Sequence, residues 1–101
     1  MALLEFYGEE CSHCQTMRPL VERLEKEGFK VEKYETWHDA ENKLKLWDLD
    51  KGYCDGVPFF INTDSNKFIC GEAGYEDLRS WAEGKFGEDA TPRPPLTAKP
   101  A

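Results

Sequence analysis

The sequence predicts an α/β protein with a four-stranded mixed sheet and helices on both faces of that sheet. Short apolar or alternating runs, which are typical of strands, are interspersed with longer segments of helical periodicity. Their order is strand, helix, strand, helix, strand, strand, helix. From residue 87 onward the chain contains four prolines and loses its apolar periodicity. We therefore predict one domain over residues 1–86 and a disordered, proline-rich tail over residues 87–101.

The first half of the domain is predicted to be a strand–helix–strand unit over residues 2–7, 11–27 and 29–36. The first strand is apolar apart from one acid, Glu5. Apolar side chains in the helix recur on one face, at Met17, Leu20, Val21 and Leu24. Gly28 supplies a stop signal for the helix. Because units of this kind are right-handed, their two strands should be parallel.

The second half is predicted to contain a helix over residues 39–50, a hairpin and a last helix. One side of the first of these helices carries Ala40, Leu44 and Trp47. The hairpin joins strands over residues 57–61 and 67–70 through the turn-rich residues 62–66. The last helix covers residues 75–86. Its inward side carries Leu78, Trp81, Ala82 and Phe86.

Composition restricts the partners and the location of the protein. A net charge of −7 over 101 residues argues against nucleic acids and anionic membranes as partners. The sequence contains no apolar run long enough to span a bilayer, and no signal peptide follows Met1. We therefore predict a cytoplasmic protein. Structural disulfides are uncommon in that compartment, where a Cys-x-x-Cys pair more often serves redox chemistry or metal binding.

Cys11 and Cys14 form such a pair where the first helix is predicted to begin. A helix N-terminus favours an anion, so it should lower the pKa of the first thiol and create a nucleophile. Cys11 would attack a substrate disulfide, and Cys14 would then resolve the mixed disulfide and release the reduced product. A static disulfide and a zinc site are the alternatives, although a zinc site needs two further ligands.

Several residues together resemble the thioredoxin/glutaredoxin superfamily, over about residues 2–86. Cys11-Ser12-His13-Cys14 lies at a strand-to-helix junction, and Pro19 follows at the position of a kinking proline. Val57-Pro58 opens the third strand, and Gly71 follows the fourth. The resemblance implies a thioredoxin fold. It also implies that Pro58 follows a cis bond and that the Val57 backbone faces the cysteines, where it pairs with an extended substrate.

The same resemblance implies supporting roles for Glu5 and Lys33, and the chemistry of an imidazole inside the motif predicts one for His13. Glu5 stands where thioredoxins carry a buried acid below the cysteines, and Lys33 stands where a lysine neighbours that acid. A buried Glu5 would exchange a proton with Cys14 during resolution, unless it reaches the surface or pairs with Lys33. His13 would stabilise the Cys11 thiolate as an imidazolium, unless it is simply an exposed histidine.

The sequence also departs from thioredoxins, and part of it is similar to glutaredoxins. Glu10 replaces the usual tryptophan, and Ser12-His13 replaces Gly-Pro. The negative charges of Glu9 and Glu10 would raise a thiol pKa, which opposes the effect of His13. Residues 58–62 and 69–78 look similar to the glutaredoxin segments that hold glutathione. The sequence is therefore intermediate between the two families.

Two further cysteines and two residues after the second strand have weaker signals. Cys54 and Cys70 are predicted to be inert packed thiols, with a second disulfide, a regulatory thiol or metal ligation as alternatives. Trp37 and His38 follow the second strand. The alternative to simple packing at those two positions is that they line a substrate groove.

The function predicted from these residues is that of an enzyme, a monomeric protein-disulfide oxidoreductase without a cofactor. Its partners would be proteins that contain disulfides, with a thioredoxin reductase or glutathione as the electron donor. The first alternative is a glutaredoxin that uses glutathione as a co-substrate and needs only Cys11. A metal- or iron–sulfur-binding module built on Cys11, Cys14 and His13 is a second alternative. A redox-inactive adaptor is a third.

Overall fold

A computed structural model describes residues 2–50, 54 and 56–89 of the chain. Within these residues the elements are β1 (Leu3–Tyr7), α1 (Ser12–Lys26), β2 (Val31–Glu35), α2 (Ala40–Asp50), β3 (Phe59–Asn62), β4 (Lys67–Cys70), α3 (Tyr75–Ala82) and β5 (Glu88–Asp89). The predicted end of α2 at residues 51–53 lies outside the described residues, and so do residues 90–101 of the tail predicted over residues 87–101. None of the described helices is long and apolar enough to cross a membrane.

The sheet is mixed, with the strand order β2-β1-β3-β4-β5. β1 and β2 are parallel, as predicted, and β3 and β4 form the predicted antiparallel hairpin. The prediction of four strands was wrong, because β5 pairs antiparallel with the start of β4. Two acidic residues have no strand periodicity to detect. They are brought there by Gly87, whose φ of +129° and close approach to the Phe68 carbonyl oxygen suit only glycine.

Side chains alternate between two apolar clusters on opposite faces of the sheet. The first cluster joins α1 and α3 to one face through Leu3, Met17, Val21, Leu24, Val31, Phe60, Ile69, Leu78, Trp81 and Ala82. The second joins α2 to the other face through Leu4, Phe6, Leu46, Phe59, Ile61 and Phe68. Helices therefore cover both faces, as predicted, and the odd-numbered residues of β1 face α1.

Two predicted apolar faces differ from those observed. Leu44 and Trp47 are 60% and 62% exposed, because α2 turns Leu46 toward the sheet. The last helix ends at Ala82, and Gly84 follows with a φ of +83°. Phe86 consequently lies beyond the helix and is 40% exposed. The exposed side chain of Trp47 lies near the end of the sheet that carries the cysteines.

The buried amide of Asn62 connects the β3–β4 turn to the end of α3. Asn62 is 1% exposed, and its Nδ2 donates to the carbonyl oxygens of Trp81 and Ala82 at 3.0 and 3.4 Å. Its Oδ1 accepts from the backbone N–H groups of Asp64 and Ser65. One side chain therefore satisfies polar groups of two elements, at a position where the sequence indicated only a turn.

Replacing this amide should destabilise the fold strongly. Asn62→Ala should lower the free energy of unfolding by about 2 to 4 kcal/mol, because it leaves several buried polar groups without partners. Asn62→Asp should be at least as harmful at neutral pH, since a carboxylate would face two carbonyl oxygens. Urea denaturation measures both effects, with the exposed Glu76→Gln on α3 as the control. A cost equal to that of the control would refute the connecting role.

Candidate active site

Cys11 and Cys14 lie at the junction of β1 and α1, the position predicted for them. Cys11 is the N-cap of α1, and its Sγ accepts the backbone N–H of Cys14 at 3.2 Å. The Cys11 N–H donates to the Gly8 carbonyl at 3.0 Å, which fixes the turn that precedes the helix. Both cysteines are free thiols, 5% and 3% exposed. Cys11 Sγ therefore accepts a hydrogen bond from one of the N–H groups at the N-terminus of the helix.

The Val57–Pro58 bond is cis, as the resemblance implied, and it lies against Cys11. The Cys11 Sγ is 3.9 Å from the Val57 carbonyl oxygen. The carbonyl oxygen of Pro58 accepts a hydrogen bond from the N–H of Gly71 at 2.8 Å. Residues that are 46 positions apart in the chain thus meet at the Cys11 sulfur.

Glu5 lies on the α1 face of β1 and is 5% exposed. Burial raises the pKa of this carboxyl from 4.5 to about 7, while the nearby charges of Lys33 and Arg18 act in the opposite direction. Lys33 is opposite Glu5 in the pairing of β1 with β2, but its Nζ binds Glu25 Oε1 at 2.9 Å. The ion pair of Lys33 is therefore made with α1, and its charge reaches Glu5 through space.

A cavity of about 290 Å³ connects Glu5 with Cys14. Its lining residues are Glu5, Tyr7, Glu9, Cys14, Arg18, Val21, Glu22 and Lys33. Burial, followed by the hydrogen bond with Cys11, raises the pKa of the Cys14 thiol to about 12, and the charge of Glu5 adds to this rise. A thiol with such a pKa is protonated at neutral pH, so it requires a base before it can react as a nucleophile. Glu5 has a suitable pKa and borders the same cavity.

His13 lies on the solvent side of α1, with its side chain 69% exposed. Its Nδ1 is 2.5 Å from Glu72 Oε2, in the segment that follows β4. The contacts of Cys11 Sγ are instead the Cys14 N–H and the Val57 carbonyl. The structure therefore brings His13 to a carboxylate across the site, and its effect on Cys11 stays a prediction.

Glu10, Glu35 and His38 form an acidic rim beside Cys11 that the sequence did not indicate. The Glu10 carboxylate binds His38 Nε2 at 2.8 Å, and this hydrogen bond raises the pKa of His38. Burial acts to raise the pKa of Glu35, but bonds from three backbone N–H groups outweigh it and lower that pKa. The three side chains place ligand atoms within 4.8 Å of one another. Among the described residues, these three side chains are therefore the group that could share a cation, and the group does not include Cys11 or Cys14.

Trp37 borders a groove of mixed polar and apolar character next to the Cys11 turn. Its ring lies so close to Gly8 that any Cβ at that glycine would overlap the indole. The groove has a volume of about 190 Å³ and is lined by Thr36, Trp37, Lys43, Leu46, Trp47, Asp50, Gly56 and Val57. Trp37 and Trp47 remain 48% and 62% exposed. Of the two residues predicted together, Trp37 lines a groove and His38 binds Glu10 instead.

Cys54 and Cys70 form a disulfide with a Cα–Cα distance of 5.4 Å. The prediction of inert packed thiols was therefore wrong, and the alternative of a second disulfide is the observed one. Cys54 is half-buried, whereas Cys70 ends β4 and is exposed. The pairing depends on how the chain before β3 returns beside the end of β4, which local sequence patterns do not encode.

Comparisons with known proteins do not identify a family for this chain. No protein-family model matches it, and neither a search of curated proteins nor a search of solved structures gave a match. Its function therefore has to be inferred from the chemistry of the site.

Glu5 should make the stability of the protein depend on pH. Between pH 4.5 and about 7 the folded chain retains a proton on Glu5 that the unfolded chain releases. The contribution of Glu5 to the free energy of unfolding is therefore complete below pH 4.5 and is lost as the pH rises through about 7. Glu5→Gln should raise the free energy of unfolding by at most about 3 kcal/mol at pH 8 and have little effect at pH 4. Urea titrations at both pH values measure this. An equal effect at the two pH values would contradict the raised pKa.

The contact between Gly8 and Trp37 predicts a strong coupling between these positions. Gly8→Ala should destabilise the protein by about 1 to 3 kcal/mol, because the new methyl group overlaps the indole ring. In the Trp37→Ala background the same change should cost little, since the obstruction is gone. Denaturation of the two single variants and the double variant gives the coupling energy. Additive effects would show that the glycine is required for another reason.

Proposed function

We propose that this chain is a thiol–disulfide oxidoreductase that exchanges electrons with protein disulfides through Cys11 and Cys14. The observation that carries the proposal is the difference between its two buried thiols. Cys11 Sγ meets a helix N–H and the Val57 carbonyl, whereas Cys14 shares a cavity with a carboxyl whose pKa is about 7. In the proposed reaction, Cys11 would attack the substrate beside the Val57 backbone, and Cys14 would lose its proton inside the cavity.

A thioredoxin fold is part of this proposal. The order of the first seven elements and the cis Val57–Pro58 bond beside Cys11 support it, and β5 is an addition to that pattern. A buried acid on β1 below the cysteine pair supports it further. The cytoplasm remains our prediction for the location of the protein.

The proposed reaction begins with the Cys11 thiolate, which attacks one sulfur of a substrate disulfide. The substrate S–S bond breaks, one substrate sulfur leaves as a thiolate, and Cys11 becomes linked to the other. Glu5 then accepts the proton of Cys14, and the Cys14 sulfur attacks Cys11 Sγ. The second substrate sulfur leaves, and a Cys11–Cys14 disulfide remains. Two electrons have passed to the substrate, whose two sulfurs take up protons.

An extended segment of a protein is the substrate that best fits the surroundings of Cys11. The Val57 backbone adjoins the reactive sulfur and can pair with such a segment, in the manner of an added strand. The groove of Trp37 and Trp47 begins at the same residue and offers apolar surface for a side chain. Val57 and Pro58 are therefore the proposed substrate-binding residues.

A glutathione-dependent activity is the second candidate, and a specific cavity favours it. A volume of about 510 Å³ is bordered by the segment after β4 that resembles glutathione-holding segments, including Cys70, Glu72 and Asp77. The three carboxylates of that cavity, on Glu72, Asp77 and Glu88, are unfavourable for the carboxylates of glutathione, although Lys85 also borders it. A protein disulfide consequently remains the first choice.

A trapping experiment tests the proposed chemistry. Cys14→Ser should accumulate a mixed disulfide between Cys11 and a disulfide peptide, since the resolving thiol is absent, and mass spectrometry detects the adduct. Cys11→Ser should form none. Reduction of the wild type by thioredoxin reductase with NADPH, compared with glutathione, glutathione reductase and NADPH, identifies the donor. Full activity of Cys11→Ser would remove the redox function altogether.

Glu5 should control the second step and not the first. Glu5→Gln should slow the decay of the mixed disulfide by about 10- to 100-fold at pH 7, the contribution expected of a general base. In the wild type this rate should rise with pH and level off above about 7, and the variant should lose that step. Single-turnover quenching measures it. Glu22→Gln, which changes an exposed acid on the same cavity, is the matched control and should leave the decay rate unchanged.

A further inference from the structure

The Cys54–Cys70 disulfide lies next to the candidate active site. Cys70 is opposite Phe59 in the pairing of β3 with β4, and Gly71, the next residue, donates to the Pro58 carbonyl. Cys54 precedes Val57 by three positions. The disulfide therefore joins the segment before Val57 to the end of β4. Gly71, at that same end, binds Pro58, the residue after Val57.

Val57 is consequently held from both sides. After it, the Gly71 N–H fixes the Pro58 carbonyl at 2.8 Å. Before it, the disulfide fixes Cys54, whose N–H also donates to the buried Asp50 carboxylate at 2.6 Å. Cys54 packs against the apolar cluster beneath α2 as well. Of these attachments, the disulfide is the covalent one, and it can be opened by reduction.

We propose that the Cys54–Cys70 disulfide is a redox-controlled latch that positions Val57 against Cys11. This inference rests on the proposed function of Cys11 as the reacting thiol. With the latch closed, the Val57 backbone is ready to pair with an extended substrate. With the latch open, Cys54 keeps only noncovalent attachments, and the substrate has to order the Val57 backbone when it binds.

Cys70 gives a reductant access to the latch. This residue is exposed and borders the cavity of about 510 Å³ between β4 and α3. A thiolate of an external dithiol can attack the Cys70 sulfur, which breaks the S–S bond and releases Cys54 as a thiolate. The second thiol of the reductant then displaces Cys70. The reductant loses two electrons and becomes a disulfide, and Cys54 and Cys70 each gain a proton.

The latch predicts that peptide disulfides and small disulfides respond differently to its opening. In a Cys14→Ser background, Cys11 can be reacted with two probes that release the same coloured thiol. The first is 5,5′-dithiobis(2-nitrobenzoate), which has no peptide backbone, and the second is an extended peptide whose cysteine carries the same thionitrobenzoate group. Stopped-flow absorbance gives both rates for the latched protein and for its Cys54→Ser/Cys70→Ser derivative.

Opening the latch should slow the peptide reaction by about tenfold and leave the small-probe reaction within about twofold, since only the peptide uses the Val57 backbone. Equal slowing of both probes, or an unchanged peptide rate, would overturn the latch. No reaction of Cys11 with either probe in the latched protein would instead overturn the proposed function. The comparison of two probes therefore separates the two failures.

A second measurement avoids any dependence on the folding of the double variant. The Cys14→Ser protein is equilibrated in mixtures of reduced and oxidised dithiothreitol and then freed of the reagent. Alkylation and mass spectrometry give the fraction of open latch, and a parallel sample gives the rate of peptide adduct formation at Cys11. The peptide rate should fall in proportion to the open fraction. A constant rate across the titration would contradict the inference.

Discussion

The antiparallel pairing of β1 with β3 determines whether this site exists. Phe6 is opposite Phe59, so the chain that leaves β1 toward Cys11 and the chain that enters β3 through Pro58 emerge at one end of the sheet. A shift of β3 by one residue against β1 would turn the side chains of β3 to the opposite faces of the sheet. The cores above and below the sheet therefore maintain the 3.9 Å approach of Cys11 Sγ to the Val57 carbonyl.

The same core also sets the electrostatics of the two thiols. Glu5 on β1 and Cys14 on α1 border the same cavity, and their pKa values rise mainly for the same reason, which is the loss of water on burial. Glu10 and Glu35, on the rim, are instead engaged by an imidazole and by backbone N–H groups. The site thus combines a buried interior, in which protonation of Glu5 and Cys14 is favoured, with a charged exterior on the other side of the Cys11 turn.

Local sequence patterns predicted those parts of the structure that depend on short segments. The alternation of strands and helices, the position of Cys11 at a helix start and the β3–β4 hairpin follow from periodicity and turn residues. The cis bond at Pro58 required the resemblance to a family, since the base rate of such bonds is low. The disulfide of Cys54 with Cys70 and the rim of Glu10, Glu35 and His38 depend on how distant loops converge. Neither has a signal in any single segment.

The short strand β5 has a consequence for association between copies of the chain. An uncovered edge of a sheet offers a row of backbone donors and acceptors to any other strand. Here the outer side of β4 is paired at Lys67 and Phe68 with Asp89 and Glu88, so a second copy that approached this part of the edge would meet a strand of only two residues. So short an edge strand offers few backbone groups for pairing with another chain. Two residues without a detectable strand pattern therefore oppose the stacking of sheets from separate molecules into a continuous ribbon.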